Sequence, residues 1–245
     1  ELGISRVELV KLSQRAENQF VGVNCGIMDQ FASMMGQSGH ALFLDCRSLA
    51  HELVPTGFEK MGYSVVVINS GVKRGLVDSE YNKRRSQCGQ AVELLKRDLP
   101  RITALRDVTV EHLPLINKLP EDLAKRARHV VTENQRVLDG IAALKRGDLH
   151  EFGRLLNASH DSLRLDYEVS CPELDLLVEI CRSVPGTLGS RMTGAGFGGC
   201  TVTLAAQEQV EEIKRRVLQE YPAQTGITPQ IFVFTASDGA RILKC

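Results

Sequence analysis

The chain has 245 residues, 43% of them hydrophobic and 24% charged, with 30 basic side chains balanced by 30 acidic ones. That is the composition of a globular protein with ample chain for a core, and it offers no net field to draw nucleic acid or an anionic membrane, so neither partner is expected. The longest apolar run, Val65-Val66-Val67-Ile68, is far short of the roughly 20 residues a bilayer-spanning helix needs, so no membrane span is expected either.

Ile4, Val7, Val10, Leu12 and Ala16 share one face of a helix predicted over residues 4–19. Ser5 and Glu8, three residues apart, have the spacing of a capping box. After the loop Val21-Gly22-Val23-Asn24, a second helix is predicted from Gly26 to Met35, ended by Gly36 and Gly39. A strand follows over His40–Cys46, then a turn containing Pro55 and Gly57, then a second strand over Tyr63–Asn69, rich in β-branched residues. Helices are predicted over 78–98, in a Pro-punctuated stretch at 107–117, from Pro120 to Lys145, over 149–164 and from Pro172 to Val184. The chain closes with a glycine-rich loop at 194–199, a strand at 200–206, a helix at 208–221 and a strand at 230–235. This order predicts an α+β fold whose C-terminal part is a sandwich of helices on a sheet. A domain boundary is placed in the interrupted stretch 50–62, dividing the chain into 1–60 and 61–245.

Two segments invite a chemical reading. Asp29 follows a glycine amid Ile27, Met28 and Phe31. It is either a first-turn acid complementing the helix dipole or a catalytic carboxylate, and the residues alone leave both readings standing. Gly194-Ala195-Gly196-Phe197-Gly198-Gly199 formally matches G-x-G-x-x-G. A dinucleotide fingerprint needs a strand before the loop and a helix after it, whereas the predicted order here is helix, loop, strand. What remains is either a tight structural turn or a cradle of backbone N–H groups for an anion such as phosphate, with Arg191 and Thr193 just upstream. Tyr81 reads as a core ring or as a ring and hydroxyl facing a small polar ligand, the core reading being favoured, and Lys83-Arg84-Arg85 as a solvated helix face. Glu17 gains interest only if a divalent metal lies near Asp29. The seven cysteines form no CxxC pair, and they and the six histidines lack zinc spacing; the thiols read as reduced, in a cytoplasmic protein. Walker-loop, GxSxG, HExxH and EF-hand patterns are missing from the sequence.

Several segments together carry a resemblance. They are Ala16–Gly22 (AENQFVG), Cys25–Gln30 (CGIMDQ), Asp45–Leu49 (DCRSL), Ser79–Asn82 (SEYN), Thr132-Glu133-Asn134 with Arg136, and Arg191–Cys200 (RMTGAGFGGC). In these the sequence resembles the galactokinases, sugar kinases of the GHMP family, over nearly its whole length. The resemblance implies a two-domain GHMP architecture, with residues 1–60 as the remainder of an N-terminal domain like the second domain of ribosomal protein S5. It implies ATP-dependent phosphorylation of the C1 hydroxyl of α-D-galactose by a monomer. Asp29 matches the family's catalytic aspartate, which also contacts the sugar. Gly26 and Tyr81 match further sugar-contacting positions, and Glu17 matches the acid associated with Mg²⁺. Gly194, Gly196, Gly198 and Gly199 match the nucleotide-proximal third motif. The family's first motif, with its Arg, Glu, His and Asp, does not occur in this sequence. Nor does the second, of the Pro-x-Gly-x-Gly-Leu-Ser-Ser-Ser type. The expectation is therefore the C-terminal majority of such an enzyme, inactive alone. A sugar and ATP sensor without turnover, or a kinase for N-acetylgalactosamine or arabinose, are the competing readings.

Overall fold

The computed structural model describes residues 3–22, 25–72 and 77–241. The chain divides into two compact units, one formed by Glu1–Met61 with Thr235–Cys245, the other by Gly62–Phe234.

In the first unit, helix α1 (Arg6–Arg15) is capped as its sequence predicts. Glu8 N–H donates to Ser5 Oγ at 3.2 Å, and Ser5 N–H donates to Glu8 Oε2 at 2.8 Å. A π-helical turn, Ala16–Val21, extends it and ends at Gly22, whose φ of 84° closes the helix in the left-handed region. Helix α2 (Met28–Met35) buries Phe31, with the His51 ring edge-on to it at 5.1 Å. Strands β1 (His40–Leu44) and β2 (His51–Pro55) form an antiparallel hairpin. The Asp45 carboxylate accepts from Arg47 N–H and Ser48 N–H and so turns the connection, which is why the predicted strand stops before Cys46. The sequence predicts only a turn between the two strands, and the structure places β2 there. Here Pro55 sits at the strand's end, opposite His40, where a missing N–H is tolerated. The returning segment near the C-terminus docks through its backbone: Gly239 N–H donates to Gly36 O and Ala240 N–H to Ser33 O, each at 2.8 Å.

The second unit is built on the antiparallel sheet β4-β5-β3-β6, formed by β3 (Tyr63–Asn69), β4 (Thr187–Thr193), β5 (Cys200–Ala206) and β6 (Gln230–Phe234). Val66 and Ile68 of β3 are fully buried against helices α7 (Pro172–Arg182) and α8 (Val210–Thr225), in a core with Leu177, Ile180, Ile213, Val217 and Tyr221. A second core joins helix α3 (Val77–Leu95) to the long α5 (Glu121–Lys145), through Leu95, Ile116 of the short helix α4 (Leu113–Ile116), Ala127 and Val131. Helix α6 (Leu149–Ser162) crosses β4 at a glycine pair. A Cβ on Gly153 would lie 2.4 Å from Leu188 O, and one on Gly189 would lie 2.2 Å from Gly153 O. Helices and antiparallel sheets in this arrangement are the expected α+β fold.

Strand β4 corrects the sequence reading. The glycine loop is preceded by a strand, not a helix, and connects β4 to β5 as a hairpin with Thr193 paired to Cys200. The dinucleotide pattern still fails, because a strand follows the loop where a helix is required. Thr187-Leu188-Gly189-Ser190 hides the strand from pattern reading: Gly189 is there for the α6 crossing, not for strand propensity.

Candidate functional site

The residues singled out in sequence fall in both units. In the first unit, Asp29 lies in the first turn of α2 and is exposed, as is Gly26 before it. Ile27 occupies the N-cap without a side-chain bond, so the first turn's N–H groups receive no side-chain cap from it. Glu17, exposed in the π-helical turn, is drawn to this segment. Gln30 Nε2 donates to Glu17 Oε1 at 3.3 Å, and Cys25 Sγ donates to Glu17 Oε2 at 3.5 Å. Cys25 N–H donates to Asn18 Oδ1 at 3.0 Å, which fixes the start of the Cys25–Gln30 segment to the same turn. Glu17 is thus tied to Cys25 and Gln30, the residues that flank Gly26 and Asp29 in the chain. Among the described residues no cluster of three or more His, Cys, Asp or Glu side chains forms a metal cage. A lone Glu suits Mg²⁺ only in its usual style, one or two carboxylates with substrate phosphates completing the shell. A cavity of about 490 Å³ in this unit, with Arg6, Met35, His51 and Asp238 on its walls, includes none of the predicted site residues.

In the second unit Tyr81, on α3, is 41% exposed, so it is not the core ring that its sequence context suggested. Arg84 reverses in the other direction: it is buried, not part of a solvated face. The glycine loop is held from several sides. Gly194, Gly196, Gly198 and Gly199 have φ of 82°, 86°, 131° and 88°, and Phe197 is left-handed as well at 56°. A Cβ at Gly196 would come within 2.1 Å of Val169 O, and one at Gly198 within 2.9 Å of Val72 O. Packing therefore already demands two of the four glycines, a reason invisible in the sequence. Phe197 N–H donates to Val169 O at 2.7 Å, and Ser70 N–H donates to Gly199 O at 2.9 Å. At the base of the loop Met192 N–H donates to His160 Nδ1 at 3.2 Å, which places that ring's proton on Nε2, facing Asp175 Oδ1 at 3.3 Å.

The strand leading into the loop is tied to α5 by Glu133. Its carboxylate accepts from Ser159 Oγ, from Arg136 Nε at 2.7 Å and from Arg191 Nη1 at 3.3 Å. Burial pushes this carboxyl's pKa up, but the Ser159 hydroxyl and the two guanidiniums outweigh it and hold the group below the usual glutamate value. Nearby His129 stacks on Tyr167 at 4.5 Å and meets Ser162 Oγ through Nδ1 at 3.0 Å. Burial brings its pKa down to about 4, so it is neutral at pH 7. Arg84 and His129 carry no sequence signal, because neither charge nor spacing marks an arginine or histidine that folds inward, whereas Glu133 lies in the Thr132-Glu133-Asn134 segment of the resemblance.

The family described as GHMP kinases N terminal domain matches residues 1–37, and GHMP kinases C terminal matches residues 141–223. The Leishmania major mevalonate kinase solved in complex with R-mevalonate has the same fold, with a TM-score of 0.60 at 22% identity over 98% of this chain and 61% of its own. In both matched segments and in fold the chain is similar to the GHMP kinases. Within them its relatives are galactokinases: that of Roseiflexus sp. (strain RS-1) is 50% identical over 97% of this chain and 60% of its own length. The Lactococcus lactis galactokinase, solved with galactose, superimposes with a TM-score of 0.89 at 41% identity over 99% of this chain and 62% of its own. The chain thus spans about three fifths of the length of the galactokinases it matches.

Proposed function

We propose that the chain carries the sugar side and the glycine loop of a galactokinase, which transfers the γ-phosphoryl group of ATP to the C1 hydroxyl of α-D-galactose. The observation that carries this reading is the close likeness of the chain, over nearly its whole length, to a galactokinase solved with galactose. In phosphoryl transfer the protein mainly positions the reactants and stabilises charge. Asp29 orients the C1 hydroxyl and accepts its proton as the new O–P bond forms; its exposed place at the start of α2 leaves the carboxylate open to a sugar. The Gly26 backbone and the exposed Tyr81 contact the sugar. Glu17 is the chain's own ligand for Mg²⁺, whose charge would offset that of the phosphates. The left-handed backbone of Gly194, Gly196, Gly198 and Gly199 presents the loop to the nucleotide. We also read the protein as a cytoplasmic monomer. The six described cysteines are all unpaired, which suits a reducing compartment. No helix among the described residues is long and apolar enough to cross a membrane.

The test is an ADP-release assay with galactose, N-acetylgalactosamine and arabinose. It is run on this chain and on a chimera in which it follows the N-terminal two fifths of the Roseiflexus relative. ADP release by the chimera with galactose in preference to the other two is the expected result. Release only with another sugar moves the assignment to that substrate. Galactose and ATP binding without release, in a folded chimera, makes the protein a sensor and overturns the kinase reading.

A further inference from the structure

The end of α6 poses a problem that Arg84 solves. The helix passes into a π-helical turn, Leu163–Tyr167, and stops at Glu168, a non-glycine residue in the left-handed region at φ 53°. The last carbonyls of such a helix have no partners within it. Two arginines from other helices take them. Arg126 on α5 donates to Asp166 O through Nη1 and to Glu168 Oε2 through Nη2 at 2.6 Å. Arg84 on α3 donates to Tyr167 O through Nε and to Glu168 O through Nη2, both at 2.7 Å, while Glu80 pairs with its third nitrogen at 3.0 Å. The fork of one guanidinium thus spans two successive carbonyls, which a single ammonium does not reproduce.

Val169, the next residue, is the support of the glycine loop: its carbonyl accepts from Phe197 N–H and fills the space a Cβ at Gly196 would take. The guanidinium of Arg84 also sits 5.8 Å from the centroid of the Phe197 ring, within cation–π range. One side chain therefore touches both the segment that supports the loop and the loop's own ring. Arg84 lies three residues after Tyr81 on α3, so the same helix presents one exposed ring and anchors the loop.

We propose that Arg84 is a positioning residue for the glycine loop, holding its left-handed conformation from helix α3 through Tyr167, Glu168 and the Phe197 ring. The functional weight of this coupling rests on the galactokinase reading given above, whereas its structural content does not. If that reading holds, the helix bearing the sugar-contacting tyrosine and the loop facing phosphate are fixed in one register by one guanidinium.

The test is amide exchange at Phe197 in this chain, measured by NMR, with 4-fluorophenylalanine placed at 197 as a second probe. In Arg84→Met the Phe197 amide should exchange at least ~10-fold faster, because its acceptor at Val169 is no longer braced. The helix amides of α7 and α8 should keep their protection. Arg84→Lys should fail to restore the slow exchange, and should shift the ¹⁹F resonance of residue 197. If Arg84→Met unfolds the second unit, Phe197→Leu decides: it leaves the carbonyl bonds of Arg84 in place, and residue 197 should still exchange at least ~3-fold faster. Unchanged exchange at 197 in whichever variant folds, or full rescue by lysine, overturns the proposal. No ATP enters the measurement, so its failure is distinct from a failure of the kinase reading.

Discussion

The two units hold their candidate residues in contrasting ways. Asp29, Gly26 and Glu17 are exposed, and the Cys25–Gln30 segment is kept in place by bonds of 3.0 to 3.5 Å to one π-helical turn. The glycine loop of the second unit is over-determined: two of its glycines abut carbonyls, its backbone is bonded to Val169 and Ser70, and the strand entering it is tied to Glu133 and His160. The contrast matches the tasks proposed for them. A carboxylate that handles a hydroxyl proton has to remain accessible. A backbone cradle works only if its N–H groups are already fixed before the anion arrives, since ordering them on binding would subtract from affinity.

This contrast can be broken by experiment, and the largest effect is expected in the exposed set. Asp29→Asn in the active chimera should lower kcat at least ~100-fold, as loss of a general base does. Unfolding midpoints should stay unchanged, because the side chain is exposed and the amide is nearly isosteric. A stability loss matching the loss in kcat would make Asp29 a structural residue. Next in size is Gly153→Ala in the second unit, where the added methyl meets Leu188 O at 2.4 Å in a crossing with no slack. About 2–3 kcal/mol of destabilisation is expected, read by urea unfolding, since overpacking a close contact costs that much. Amide exchange should show it in α6 and β4 and leave α1 and α2 unaffected.

Acid should likewise act on the second unit first. His129 has a folded pKa of about 4 against about 6.5 when unfolded, so the unfolded chain binds its proton earlier as pH falls. The stability it supports is whole above pH 6.5 and drains away between 6.5 and 4, with about 2 kcal/mol gone by pH 5. Glu133, held below its usual value, adds a loss in the same direction at lower pH. His129→Gln should flatten the upper part of this profile; an unaltered profile would show that the ring is already charged in the fold. The smallest effect returns to the first unit: Ser5→Ala removes one half of the α1 capping box and should cost about 1 kcal/mol. Exchange should be faster in α1 alone, with the Phe197 amide unmoved.

Local rules and motif likeness were enough for much of this protein. The Ser5–Glu8 cap, strand Tyr63–Asn69 and the helix opening after Pro120 and ending at Lys145 follow from periodicity, β-branching and capping chemistry, which act within a few residues. The segments around Asp29 and Gly194 resemble those of sugar kinases in sequence alone. Tertiary structure alone decided the rest. Strand β4 exists because β5 pairs with it and α6 packs against its Gly189, although Gly189-Ser190 at its middle is a poor strand former. Arg84 is buried because carbonyls more than eighty residues away need its donors, and no charge pattern along α3 records that need. Gly196 and Gly198 are required by the carbonyls of Val169 and Val72, contacts between segments that lie far apart in the chain. Short-range chemistry is written in neighbouring residues, whereas the demands of close packing arise only where distant segments meet.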